Sequence, residues 1–190
     1  MTATGFALFE TAIGACGIAW NDAGILGLQL PEGRAGKARD RLARRFPEAR
    51  ESAPTPGIEA AIGEIRALLA GEARDLAGVP LDMSGVPEFE RKVYDIARGI
   101  PPGRTMTYGE IATRLGDKAL SRDVGAALGR NPFPIVVPCH RVLGTGGKTG
   151  GFSARGGVDT KMRMLQIEGA RIGDAPSLFE DLPLAAKKKR

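Results

Sequence analysis

A cysteine beside a histidine is the residue pair in this sequence with the clearest chemical use. Cys139 precedes His140, which is the only histidine among 190 residues. A thiolate is the nucleophilic form of cysteine, and a nearby imidazole is a common base for producing it. Because neighbouring side chains of an extended segment point to opposite faces, we expect a water molecule to bridge the pair. The competing interpretation is an inert buried thiol, since free cysteines are often buried.

The small number of cysteines and histidines argues against a metal site. Cys16, Cys139 and His140 are the three Cys or His ligands that the chain offers, whereas structural zinc takes four. Two cysteines also make no disulfide scaffold at this length, and free thiols suit a reducing compartment. The ligand count therefore argues against a structural zinc site. We also expect that the chemistry needs no other metal and no organic cofactor.

The segment before the cysteine is predicted to hold it at the end of a strand. Residues 135–137 are Ile-Val-Val, a β-branched run that is typical of a buried strand. Pro138 has no backbone N–H for a ladder, so the strand should end there. A cysteine placed at a strand end can face a pocket.

Two short helices joined by a glycine turn are predicted upstream of the cysteine. Thr107 and Glu110 fit a capping box, and Gly116 can end the first helix in the left-handed conformation. Ser121 is predicted to cap a second helix that runs through Leu128. This pattern indicates a helix-turn-helix, although an ordinary helical hairpin would produce it too.

The second predicted helix has a face of small residues, namely Gly125, Ala126 and Gly129. Such a face lets a helix backbone approach a ligand or a DNA groove closely. A major-groove reader would carry several long basic side chains, and only Arg122 and Arg130 are available here.

The N-terminal part is predicted to be a small unit of strands and helices. Apolar runs within residues 6–30, with a turn at 21–24, are typical of short antiparallel strands. Residues 35–46, 58–69 and 88–98 have helical spacing of apolar residues, and 47–57 is predicted as a loop. Glycine and proline concentrate around residues 71–87 and indicate a boundary. We predict an α/β (α+β) chain with domains at 1–80 and 87–175 and a flexible basic tail at 176–190.

The bulk composition is that of a folded protein with a mildly basic surface. Hydrophobic residues make up 43% and charged residues 26%, and the net charge is +5. A basic chain is compatible with nucleic acid, although the terminal Lys-Lys-Lys-Arg contributes much of the excess. The sequence has neither an apolar run of about 18 residues nor the features of a secretory signal. We expect a cytoplasmic protein with no membrane association.

The string NPFPIVVPCHRV at residues 131–142, downstream of the predicted helix-turn-helix, resembles the O6-alkylguanine-DNA alkyltransferase family. The resemblance runs from about residue 89 to 170 and is only general over 1–80. It implies a ribonuclease-H-like N-terminal domain and a winged-helix-like C-terminal domain. It also implies a monomer that enters the DNA minor groove, associates with the nucleoid and transfers an alkyl group irreversibly from guanine O6 to Cys139. Whether O4-alkylthymine is also repaired stays open.

The resemblance further implies a role for individual residues. His140 would deprotonate Cys139 through water, and Glu168 would orient the imidazole, as in a catalytic triad. Tyr108 would donate a proton to the departing guanine, and Asn131 would join the helix-turn-helix to the active-site strand. The residues implied to bind DNA or the extruded nucleotide are Arg122, Tyr108, Gly109, Thr145 and Ser153. Of these, Arg122 would fill the space that the extruded base leaves.

Three other functions compete with alkyl transfer. Residues 144–149 end in Gly-Lys-Thr, but a phosphate-binding loop needs a glycine where this chain has Val142. A Cys-His hydrolase would need an oxyanion site, for which the sequence has no separate motif. A helix-turn-helix protein that binds damaged DNA without reacting is the non-enzymatic alternative.

Overall fold

A four-stranded sheet forms the first part of the chain in the computed structural model, which describes residues 5–32, 35–149 and 157–170. Strands β1 (Gly5–Thr11), β2 (Gly14–Asn21) and β3 (Gly24–Gln29) are antiparallel, as the sequence predicts. Strand β4 (Arg50–Glu51) pairs in parallel with β1, so the order is β3-β2-β1-β4. The predicted loop over 47–57 is therefore wrong in part, because two of its residues complete the sheet.

Two helices flank this sheet, α1 (Ala35–Arg45) and α2 (Pro56–Leu69). Leu42 of α1 packs with Phe6 and Ala19 in a small cluster of its own. Ala7, which follows Phe6 and therefore points to the opposite face of β1, belongs to the main core together with the apolar face of α2. The helices thus cover opposite faces of the sheet, and the face under α2 is continuous with the second part of the chain.

The second part is mainly helical. It contains α3 (Glu88–Arg98), α4 (Tyr108–Arg114), α5 (Ser121–Gly129) and α6 (Gly157–Ile167). Strands β5 (Met106–Thr107) and β6 (Val142–Leu143) form a short parallel pair. Together with the small sheet, the six helices make a mixed α/β protein, as predicted. Within the described ranges, no helix is long and apolar enough to span a bilayer. The predicted tail at 176–190 lies outside the described residues.

The predicted helix-turn-helix is formed by α4 and α5. The Thr107 hydroxyl accepts from the Glu110 amide at 3.1 Å and the Glu110 carboxylate accepts from the Thr107 amide at 2.5 Å, which is the predicted capping box. Gly116 has a φ of 103° just after α4, a conformation that favours glycine. The predicted Ser121 cap is wrong: a 3₁₀ turn at Lys118–Leu120 runs directly into α5, and the Ser121 hydroxyl donates to the Lys118 carbonyl.

The main core joins the sheet to the helical part and fixes the loop between α5 and β6. It includes Ile18 from β2, Ile65 from α2, Tyr94 from α3 and Phe133 from that loop, all at most 1% exposed. The amide of Leu28 on β3 donates to the Pro132 carbonyl at 2.9 Å. The edge of the N-terminal sheet therefore holds the segment that leads to Cys139.

Candidate active site

The segment that carries Cys139 is a folded turn and not the predicted strand. Residues 135–137 are buried as predicted, but Ile135 has a φ of 79° and the Val137 amide donates back to the Phe133 carbonyl at 2.8 Å. Prolines at 132, 134 and 138 each remove a backbone donor, so a strand ladder cannot run unbroken through the segment. Cys139 then opens a 3₁₀ turn over Cys139–Arg141. The extended geometry on which the bridging water was predicted is therefore absent.

Asn131 closes this turn from its position just after α5. Its Nδ2 donates to the Val137 carbonyl at 2.9 Å, and its Oδ1 accepts from the Phe133 amide at 2.9 Å. The Asn131 side chain also hydrogen-bonds the Cys139 thiol. The side-chain amide of Asn131 thus links the end of the helix-turn-helix to the backbone that presents the cysteine. Asn131 was expected to make this link to a strand, and in the structure it makes it to a turn.

Cys139 is 8% exposed, and its environment favours a protonated thiol at rest. Burial raises the pKa of the Cys139 thiol, while the Asn131 hydrogen bond, the positive charge of Lys161 and nearby backbone amides lower it in part. Cys16 provides a contrast within the same chain. Burial raises the pKa of Cys16 to about 12, its hydrogen-bond partner is the hydroxyl of Thr11, and the negative charge of Glu10 adds to the rise. Cys139 is therefore the thiol that the fold equips for ionisation.

His140 is fully buried and is held by Glu168, which follows α6. The imidazole Nε2 lies 2.9 Å from Glu168 Oε1, and both side chains are at most 2% exposed. Burial by itself would raise the pKa of Glu168, but hydrogen bonds and charges from His140 and Arg141 hold it at about 2. Because an ionised carboxylate can only accept, Nε2 is the protonated nitrogen and Nδ1 keeps its lone pair. Among the described residues, no group donates to this buried Nδ1.

Burial also lowers the pKa of His140, and the pull of Glu168 on the proton only partly opposes this effect. The imidazole is consequently neutral at neutral pH. A neutral imidazole with a free lone pair is a base, as the predicted chemistry requires.

Two buried cations complete the site, and the sequence analysis assigned a role to neither. Arg141 is 5% exposed and bonds both oxygens of Glu168. Lys161 is 0% exposed, and its Nζ donates to the Val142 carbonyl at 2.6 Å. Burial lowers the pKa of Lys161 to about 8, while the thiol of Cys139 acts to raise it. Lys161 stands three residues before Met164 on the buried face of α6, so a lysine at an apolar position of that helix was the available signal.

Tyr108 lies at the first turn of α4 and faces the same group of residues. Its ring centroid is 5.9 Å from Lys161 Nζ, and its ring edge comes within 4 Å of where a Cβ on Gly125 would be. Burial raises the pKa of Tyr108, and the nearby Cys139 thiol adds to the effect. The small residue at 125 leaves room for the phenol beside α5. Because its pKa is raised, the phenol keeps its proton at neutral pH and can act as a proton donor.

The residues predicted to bind DNA occupy the outer side of the helix-turn-helix. Arg122 is exposed on α5, together with Ala126 and Gly129. Gly109 and Thr145 both line a surface cavity of about 500 Å³ between α4 and the loop after β6. Ser153 lies outside the described residues. The structure thus brings Cys139, His140, Glu168, Asn131 and Tyr108 to one place, and leaves Arg122 and Thr145 on the surface.

Comparison with known proteins places this arrangement in a family. The family described as 6-O-methylguanine DNA methyltransferase, DNA binding domain, matches residues 88–170. A protein of Methanothermobacter thermautotrophicus named methylated-DNA–protein-cysteine methyltransferase is 37% identical over 156 residues, which are 82% of this chain and 80% of that protein. A protein of the same name from Methanosarcina acetivorans is 35% identical over 87% of this chain and 98% of its own length.

Solved structures agree with the sequence relatives. A crystal structure of Mycobacterium tuberculosis OGT in complex with DNA has a TM-score of 0.69 and 31% identity, covering 87% of this chain and 92% of that one. The O6-methylguanine-DNA methyltransferase of the archaeon Pyrococcus kodakaraensis has a TM-score of 0.66 and 28% identity, covering 87% and 99%. The match therefore includes the N-terminal sheet as well as the helical part.

Proposed function

The chain belongs to the methylated-DNA–protein-cysteine methyltransferase family, and from this we infer that it repairs O6-alkylated guanine in DNA by taking the alkyl group onto Cys139. The observation that carries the proposal is a Glu168–His140 pair placed in the turn that begins with Cys139. Glu168 fixes the protonated nitrogen of His140, which leaves a basic nitrogen in the same 3₁₀ turn as the cysteine. That is the arrangement a thiol with a raised pKa needs in order to react.

The proposed reaction is a single displacement. His140 Nδ1 is buried and has no partner among the described residues, so we propose that a water molecule passes the Cys139 proton to it. The thiolate then attacks the alkyl carbon. A C–S bond forms as the bond to guanine O6 breaks, and the bonding electron pair stays on the guanine. Tyr108 donates its hydroxyl proton to the departing base and recovers one from solvent. His140 then releases its proton to solvent, so that overall one proton replaces the alkyl group on guanine and the alkyl group replaces the proton on the thiol. The thioether does not revert, so each molecule reacts once.

Access to the guanine requires the nucleotide to leave the duplex, since O6 is not open to in-line attack within the base stack. The exposed small residues of α5 support entry of this helix into the minor groove, where close backbone approach matters more than long basic side chains. Arg122 lies on the same helix and is the side chain proposed to occupy the space of the extruded base. Gly109 and Thr145 are proposed to contact the DNA strand, and Ser153 to contact O6.

Finer features of the fold are part of the same proposal. The order β3-β2-β1-β4, with α1 crossing to a parallel β4, supports a ribonuclease-H-like N-terminal domain. The helices α4 and α5, accompanied by the β5–β6 pair, support a winged-helix-like second domain. We propose that the protein acts as a monomer, because one chain supplies every residue that the reaction uses. We further propose that it associates with the nucleoid through its binding to DNA.

The direct test is to mix the protein with a duplex containing O6-methylguanine and to weigh it. We expect a mass gain of one methyl group, located on Cys139 by peptide mapping, with Cys16 unmodified. The Cys139→Ser variant should gain no mass and should still bind the duplex. DNA binding without any mass change would favour a lesion-binding protein, and repeated turnover would refute the single-use mechanism.

A further inference from the structure

Arg141 is a buried charge for which the proposed reaction has no step. Within the described part of the chain, its guanidinium makes three hydrogen bonds. Nε donates to Glu168 Oε2 at 2.9 Å, Nη2 donates to Glu168 Oε1 at 2.9 Å, and Nη1 donates to the Ile100 carbonyl at 2.5 Å. Burying a guanidinium costs free energy even when it is paired, so this arrangement is a weak source of stability by itself. A chemical consequence is the better explanation of its position.

The contacts show that one carboxylate is shared between two side chains, while the Gly103 amide also donates to Glu168 Oε2 at 3.5 Å. Glu168 Oε1 accepts from both His140 Nε2 and Arg141 Nη2. An arginine side chain stays protonated at any pH at which the protein is folded. The negative charge of Glu168 is thus already balanced by Arg141, and it attracts a second proton onto His140 less than a carboxylate paired with histidine alone would.

We propose that Arg141 is a positioning residue that balances the Glu168 charge and so keeps His140 an uncharged base, ready to accept the thiol proton. This inference rests on the proposed function. It adds to it the reason why the imidazole is not already protonated by solvent before the thiol gives up its proton. Without Arg141, only burial and the charge of Lys161 would oppose the pull of Glu168 on a proton, and a Glu168–His140 ion pair would be favoured. The charged imidazole would then have no lone pair on Nδ1, and the thiol would have no base.

The other groups around His140 act in the same direction or more weakly. Lys161 on α6 is a second cation that disfavours a charged imidazole, and Cys139 in the same turn is protonated at rest. Tyr94 on α3 and Tyr108 on α4 face the thiol with raised pKa values, so neither phenol carries a charge near neutral pH. Among the residues that the structure describes, Glu168 is consequently the single anion that faces the imidazole, and Arg141 is the residue that bonds both of its oxygens.

The presence of a single histidine gives this inference a direct measurement. The one imidazole C2–H resonance in a proton NMR spectrum belongs to His140, and its shift can be followed from pH 5 to pH 8. In the wild-type protein we expect a midpoint below the ordinary value of about 6.5. In Arg141→Met we expect the midpoint to rise by about one pH unit or more, since a neighbouring charge moves a pKa by roughly 1–3 units. The pH at which the rate of methyl transfer falls to half should rise by the same amount.

Two variants separate charge balance from a structural role. Arg141→Lys keeps the charge and should keep the midpoint near the wild-type value, even where it slows the reaction. Arg98→Met is the matched control, because Arg98 also bonds backbone carbonyls, including that of Val79, but does not touch Glu168. It should lower the thermal midpoint of unfolding without moving the His140 titration.

The outcomes are distinguishable from those that test the reaction itself. A wild-type protein that gains no methyl group at pH 8 contradicts the proposed function. A wild-type protein that reacts, but whose His140 titrates at or above pH 6.5, overturns the role of Arg141 even if Arg141→Met fails to fold. An unchanged midpoint in a folded Arg141→Met protein would overturn it as well.

Discussion

Replacing Glu168 by glutamine should affect the stability and the chemistry of this protein by separable amounts. The carboxylate accepts three hydrogen bonds at 2.9 Å, and its side chain is 2% exposed. Removing one partner of a buried ion pair costs about 3–5 kcal/mol, because the other charge is left uncompensated. The glutamine oxygen still accepts from one donor, so we expect a loss of about 3 kcal/mol, at the lower end of that range.

The assay for this loss is thermal unfolding followed by circular dichroism. For a chain of this length, 1 kcal/mol lowers the unfolding midpoint by about 2–4 °C, so Glu168→Gln should lower it by about 6–12 °C. The double variant Glu168→Gln/Arg141→Met removes both charges and should recover part of the loss. Glu88→Gln is the control, since the Glu88–Lys92 pair is exposed and screened by solvent, so its loss should lower the midpoint far less.

The rate of methyl transfer should not recover in the double variant. Losing the oriented base should slow transfer by about 100-fold, within the usual range for general acid–base catalysis. The rate is measured by quenching single-turnover reactions and weighing the protein. A Glu168→Gln protein that melts within 1 °C of the wild type would refute the stability argument. A double variant that regains the wild-type rate would show that Glu168 acts only through Arg141.

Three further predictions follow from the described geometry. Arg122→Ala should slow repair in duplex DNA more than reaction with a free alkylguanine base, and equal losses in the two assays would contradict a role in extrusion. Lys161→Met removes the charge that lowers the Cys139 pKa and should slow methyl transfer at pH 7 by about tenfold, the effect of one pKa unit; an unchanged rate would exclude that role. Because the pKa of His140 is below its unfolded value, the stability due to its neutral form is complete above about pH 6.5 and is lost as the pH falls further. The free energy of unfolding, measured by urea denaturation at several pH values between about 5 and 7, should therefore depend less steeply on pH in His140→Gln than in the wild type.

Local patterns in the sequence were sufficient for the elements that local interactions determine. The capping box at Thr107 and the glycine at 116 predicted the bounds of α4, since each satisfies backbone groups within a few residues. The strands within residues 6–30 followed from short apolar runs and the turn at Asn21, whose side chain accepts from two turn amides. The family string at 131–142 identified Cys139, His140 and Asn131 directly.

The turn that presents the cysteine could not be predicted in the same way. Its β-branched residues are buried as a strand would be, but three prolines and the Asn131 side chain close the backbone into a turn. The positive φ at Ile135 is unfavourable for a β-branched residue and persists because both flanks are fixed, one by α5 and one by the bond from Leu28 to Pro132. Those contacts come from distant parts of the chain, and propensity does not report them.

The roles of Arg141 and Lys161 were missed for the same reason, since both depend on contacts between distant parts of the chain. Their positions account for the direction of proton transfer. Moving the thiol proton to His140 creates two new charges, a thiolate and an imidazolium. The thiolate forms near Lys161, and the imidazolium forms 2.9 Å from Glu168, so each new charge appears beside an opposite charge that is already in place. The positive charge of Arg141 disfavours the imidazolium, so His140 stays neutral in the resting protein and takes up a proton when the thiol ionises. The buried thiol thus stays protonated in the resting protein because its pKa is raised. It can still react, because Lys161 and Glu168 are already in place to stabilise the two charges that proton transfer creates.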